Sequence, residues 1–137
     1  MTPVVEFPDP EPNGLAAMIG GLLQANLEAH PERADLLMST VVGVMAQDAH
    51  VSITLEMSPE GIVVRNGLAP RTDVTVRTDS ETLTELSTTP LRLGYPDATK
   101  AEGRRITRKL FSGDLAVRGL VRHPLVVSRL NRLLAVD

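Results

Sequence analysis

The stretch VSITLEM, residues 51–57, alternates apolar and polar side chains without a break. Val51, Ile53, Leu55 and Met57 fall on one side, and Ser52, Thr54 and Glu56 on the other. A strict period of two requires a β-strand with one face toward a core and one toward water. SPEG follows at 58–61, with Pro second and Gly fourth, as a β-turn prefers. IVVRN is therefore expected to return antiparallel to the first strand. TDVTVRTD alternates again, with Val74 and Val76 inward and Thr75 and Arg77 outward. Strands of this kind need further strands or covering helices to be stable.

The covering helices are visible as a change of period. After Asn13, an N-cap residue, Leu15, Met18, Ile19, Leu22, Leu23 and Leu27 recur at helical spacing. Gly20 and Gly21 weaken this helix by about 1 kcal/mol each relative to Ala; they serve either a close helix contact or a gap beside a pocket. Pro31 and Glu32 suit a second helix start. Its predicted apolar face is Ala34, Leu37, Met38, Val41, Val44 and Met45, and it ends near Ala49. Asp79 or Ser80 is placed to cap a short helix over 80–88, with Leu83 and Leu86 on one face, stopped by Pro90. Thr99 and Glu102 have capping-box spacing before a helix in which Ile106 and Leu110 share a face. Arg104, Arg105 and Arg108 lie largely elsewhere on it, and Gly113 suits a cap or turn. DLAVRG reads as a short strand, and Pro124 opens a last helix with the stripe Val126, Val127, Leu130, Leu133 and Leu134. Together these elements predict an α+β fold: an antiparallel meander with helices on one side. A fifth strand is expected at 68–72 or 91–95. Residues 1–13, with four prolines, read as a flexible arm, and 14–137 as a single domain.

Composition narrows the function. The chain has 137 residues and no Cys, so thiolate chemistry, thiolate metal sites and disulfides are excluded. Phe7, Tyr95 and Phe111 are its only aromatic residues. Any apolar pocket is then aliphatic, and stacking platforms for nucleic-acid bases are disfavoured. Residues 1–99 hold 14 acids and 5 bases, and residues 100–137 hold 3 acids and 9 bases. The basic end suits an anionic lipid or an acidic partner, or it neutralises the acidic part of the same domain. The segment Met1–Gly14 is acidic and proline-rich rather than basic then apolar, so no signal peptide is expected. No apolar run is long enough for a transmembrane segment. A cytoplasmic protein is the expectation.

No catalytic pattern emerges. His30, His50 and His123 are far apart in sequence, with no pairing at metal-ligand spacing. His30 and His50 are expected at helix ends, and His123 in the turn before Pro124. No serine sits in a nucleophile elbow, Gly20 and Gly21 make no phosphate loop, and GDLAVRG is not a dinucleotide fingerprint. Glu81 and Glu85 read as an exposed pair. The chain is not expected to be an enzyme or to need a cofactor or metal.

From about Val51 onward, roughly two thirds of the chain resembles the sterol carrier protein 2 (SCP2-like) lipid-binding domains. The resemblance rests on the hairpin VSITLEMSPEGIVVRNG and on DVTVRTDSETLTELST, a strand with a polar cap and a Leu-bearing helix. LFSGDLAVRGL, a short strand between glycines, and VVSRLNRLLAV, a closing helix with paired leucines, complete it. The stretch between Leu91 and Lys109 is longer than the family's linker and richer in Arg. The resemblance implies a five-stranded, mostly antiparallel sheet with helices packed on one face. Sheet and helices would enclose an apolar tunnel for a fatty acyl chain, acyl-CoA or sterol, and the segment Gly113–Gly119 would be the edge strand. Leu83, Leu86, Ile106, Leu110, Phe111, Val127, Leu130 and Leu134 are then the expected pocket lining. Any one of them alone is ordinary core. Arg104 and Arg108, four apart on one helix face, are the expected headgroup ligands, or else an ordinary solvated face. The expected partner is an apolar small molecule or lipid, with nucleic acid disfavoured. The alternative is a non-catalytic interaction module, a homodimer or the companion of a separate enzyme, whose tunnel is filled by its own side chains.

Overall fold

The computed structural model describes residues 4–82, 91–92, 95–96, 104, 108, 116–119, 122 and 124–134. Strand β1 (Val4–Glu6) is followed by helix α1 (Gly14–Ala29) and a 3-10 segment (Pro31–Leu36). Four strands come next: β2 (Thr40–Ala46), β3 (Val51–Ser58), β4 (Gly61–Asn66) and β5 (Val74–Thr78). Later come β6 (Leu91–Arg92), β7 (Tyr95–Pro96), β8 (Ala116–Arg118) and the C-terminal helix α2 (Pro124–Leu134).

The main sheet runs β1-β4-β3-β2-β5-β8. From β4 to β8 it is the expected mostly antiparallel five-stranded sheet, with β2–β5 as its parallel pair. To this β1 adds a sixth strand, parallel to β4. β8 lies on the opposite edge, antiparallel to β5, as the resemblance implied. β6 and β7 pair only with each other, so 91–92 is a strand but not the missing fifth one.

That fifth strand is β2, and it corrects the second helix expected over 31–49. Only Pro31–Leu36 is helical there, and it is a 3-10 segment. Val41, Val42 and Val44 are β-branched and favour a strand. β2 sits between β3 and β5, with Val42 opposite Leu55 and Val74, and Val44 opposite Ile53 and Val76. Its outer face is covered as well: a Cβ at Gly43 would meet the Leu68 and Thr72 side chains. With Val41, Gly43 and Met45 outward and no polar residue among them, the period-two signal is lost and an apolar run remains that also fits helical spacing.

The proline-rich segment is a second correction, because residues 4–13 are tied to the sheet. Val4, Val5 and Glu6 pair with Gly61, Ile62 and Val63. Asp9 accepts a hydrogen bond from the Asn66 amide at 2.8 Å, and the Glu11 carbonyl accepts from the Asn66 side chain at 2.9 Å. Pro is compatible with such an edge strand, where one row of amides has no ladder partner. The Phe7 ring lies where a Cβ on Gly20 would stand, whereas nothing lies within 4 Å of one on Gly21. Gly20 therefore serves a close contact.

Several local expectations hold. The Asn13 side chain caps α1 by accepting from the Ala16 amide at 2.8 Å, and His30 is the C-cap of that helix. Asp79 caps the helical residues 80–82, accepting from the Thr82 amide at 2.7 Å. Pro124 opens α2. His50 is the exception: it lies in the β2–β3 turn, not at a helix end.

Candidate functional site

Alternation along the strands collects the inward side chains into rows. Val64, Leu55, Val42 and Val74 form one row across four strands, and Ile53, Val44 and Val76 the next across three. All seven are buried. Helix α1 packs against β1, β3 and β4, and α2 packs against α1, the 3-10 segment and β7. From α1 come Leu15, Ile19, Leu23 and Leu27, and from α2 Val126, Leu130, Leu133 and Leu134, all buried in one cluster. Among the described residues, the side chains of these rows and stripes are aliphatic. Such a layer acts by excluding water from apolar matter, worth about 25 cal/mol per Å2.

Of the expected lining residues, Leu130 and Leu134 are in this layer. Val127 lies on α2, but its side chain is outside the described set, as are Leu83, Leu86, Ile106, Leu110 and Phe111 altogether. Arg104 and Arg108 are helical and exposed.

Sequence reasoning missed Asn26. Only 5% of it is exposed, and its side-chain amide donates to the Leu133 carbonyl at 2.9 Å. That carbonyl is in the last turn of α2, where a helix has no acceptor-satisfying amide of its own. The signal was present: position 26 falls on the buried stripe Ile19, Leu23, Leu27, where a polar side chain must find a partner.

At the far end of β2 the turn residue Asp48 accepts from the Ser80 amide at 2.9 Å and the Ser80 hydroxyl at 3.0 Å. The Ser80 backbone hydrogen bond is the main cause holding the Asp48 carboxyl below its usual value of 3.8. A depressed carboxyl stabilises the fold above its unfolded value, and the contribution disappears as pH falls through the folded value. Asp48→Asn is therefore expected to lower stability at pH 7. The gap to the parent should close on acidification below about pH 3.8, as read by urea unfolding at a series of pH values.

Between this turn and β5 lies an open hollow of about 550 Å3 lined by Met45, Ala46, Gln47, His50, Val51, Ser52 and Arg77. Among the described residues, no three His, Asp or Glu side chains are grouped to hold a metal ion, and no helix is long and apolar enough to cross a membrane.

No protein-family profile matches the chain, and no curated protein matches it. Solved structures do. A ubiquinone synthesis protein described as UbiJ-SCP2 superposes with a TM-score of 0.61 at 23% identity, covering 88% of this chain and 92% of that one. Sterol Carrier Protein 2 from Yarrowia lipolytica, in its apo form, superposes with a TM-score of 0.54 at 14% identity, covering 90% and 94%. The likeness is one of fold: a mixed α+β chain with a mostly antiparallel sheet and helices packed on one face.

Proposed function

We propose that this chain binds an apolar ligand, a fatty acyl chain, acyl-CoA or sterol-like molecule, between the inner face of its sheet and its helices. The observation that carries the reading is the pair of aliphatic rows, Val64–Leu55–Val42–Val74 and Ile53–Val44–Val76, on the inner face of β4, β3, β2 and β5. The likeness in fold to a sterol carrier protein supports it. The proposed lining is Leu83, Leu86, Ile106, Leu110, Phe111, Val127, Leu130 and Leu134, with Arg104 and Arg108 taking an acidic headgroup. Each buried methylene contributes about 0.8 kcal/mol, so a long alkyl chain needs no specific polar contact. The protein then acts as a carrier in the cytoplasm and performs no chemistry on its cargo.

A second reading has its own support. Leu130 and Leu134 are buried by the chain's own side chains, as they would be in an interaction module whose layer is self-filled. Native mass spectrometry of the purified protein, with organic extraction of what co-purifies, separates the two. The carrier reading expects a bound fatty acid or related molecule that exchanges for added acyl chains. A bare chain mass that no acyl chain shifts would overturn it, and the oligomer mass would then show whether the partner is a second copy.

A further inference from the structure

The hollow at the β2–β3 turn lies at the strand ends, where Ala46 and Val51 reach the margin of the aliphatic layer. Met45 is opposite Ser52 on β3 and opposite Arg77 on β5. Its neighbours Val44 and Ala46 point inward, so the row Ser52–Met45–Arg77 belongs to the outer face. Gln47 and His50 of the turn close the end of this row, and Val51 and Ala46 add apolar edge. The volume of about 550 Å3 falls in the range of small-molecule sites.

Among the described residues, the lining holds a guanidinium and an imidazole and no carboxylate. Asp48, the acid on the same turn, does not line the hollow; Ser80 engages its carboxylate. Among the described residues, neither the Arg77 guanidinium nor the His50 imidazole meets a hydrogen-bond or ion-pair partner. His50 is also the one described non-glycine residue with a positive φ, 52°. A left-handed backbone is unfavourable for an L-residue, and such strain concentrates at ligand sites. Here it places the imidazole on the rim of the hollow.

We propose that this hollow binds a small organic anion, a carboxylate or phosphate on an apolar body. The planar fork of Arg77 takes two anionic oxygens. His50 and the Gln47 amide supply further donors from the turn, and Met45 and Val51 receive the apolar body. Met is suited to this because its unbranched thioether adapts to irregular shapes.

The test is an NMR titration of the 15N-labelled full chain with benzoate and with phenyl phosphate, using benzamide as the uncharged counterpart. The expected result is saturable amide shifts confined to residues 45–52 and 76–78, with benzamide at least tenfold weaker. The tighter of the two anions names the headgroup. Arg77→Gln should weaken binding at least tenfold. His50→Asn, which keeps a residue tolerant of the left-handed backbone, should weaken it several-fold while leaving the fold intact. Equal binding of benzamide and benzoate, or no effect of Arg77→Gln, would overturn the assignment. So would shifts centred on Val42, Leu55 and Val74, which would place the probe in the aliphatic layer. The outcome is independent of whether that layer holds an acyl chain.

Discussion

Gly119→Ala is expected to destabilise the chain by about 3 kcal/mol, at the upper end of ordinary single-residue effects. Two causes add. Gly119 has a φ of +90°, where an L side chain costs roughly 1 kcal/mol or more. A Cβ there would also collide with the Asp73 carbonyl oxygen. That oxygen cannot retreat easily. The Asp73 amide donates to the Val41 carbonyl at 2.8 Å. Its carboxylate accepts from the Val41 amide at 2.9 Å and the Thr40 hydroxyl at 3.0 Å. Relief must come from β8, which is held to β5 over just three residue pairs. Urea unfolding with an unchanged slope would give the loss directly. A loss below about 1 kcal/mol would show that the edge strand yields at little cost. Asp73→Ala frees the strand start, so the double variant should lose less than the sum of the two single losses.

The Gly119 turn was legible as a glycine closing a short alternating strand, because a glycine at the end of a strand is a local signal. The same holds for β3, β4 and β5, where one face is wet and the period of two survives. It fails for β2. The outward positions of this central strand, Val41, Gly43 and Met45, carry no polar side chain to mark a wet face. Its identity depends on partners, one of them β5, about 30 residues away. β1 is illegible for a related reason: it lies in a segment of four prolines, and its partner Gly61 is distant in sequence. Of the aliphatic layer, the burial of Leu130 and Leu134 was legible from helical spacing, because α2 buries one stripe. Asn26 and the Met45–Arg77 row were not. Each is created by a register or a helix crossing that no local pattern encodes.

Asn26→Leu should cost about 2 kcal/mol, since it leaves the buried Leu133 carbonyl without its donor. Asn26→Asp should cost more, about 3 kcal/mol at pH 7, because a carboxylate would then face a carbonyl oxygen in a dry site. That excess has a pH signature. Burial against an acceptor raises the folded pKa of the new acid, so the penalty grows as pH rises from the unfolded value of about 3.9 toward the raised value. Below about pH 4 the protonated acid can donate to Leu133, so Asn26→Asp should then lose less than Asn26→Leu and approach the parent. Unfolding curves at pH 3.5 and pH 7 provide the check. Equal losses for both variants at both values would mean that water reaches the Leu133 carbonyl once Asn26 is gone. Because this hydrogen bond joins α1 to α2, the same variants report on whether the two helices part easily, which a ligand entering between helices and sheet would exploit.

The strand order β1-β4-β3-β2-β5-β8 also implies a sequence of assembly. β2, β3 and β4 are joined by tight turns and can pair as soon as those turns close. β1 must find β4 across more than fifty residues of intervening chain. Each doubling of such a loop adds only about 0.6 kcal/mol of closure entropy, but the reward must already exist when the loop closes. The β3-centred meander therefore forms first and serves as the template. β1, which precedes the other strands in the chain, is among the last to find its place.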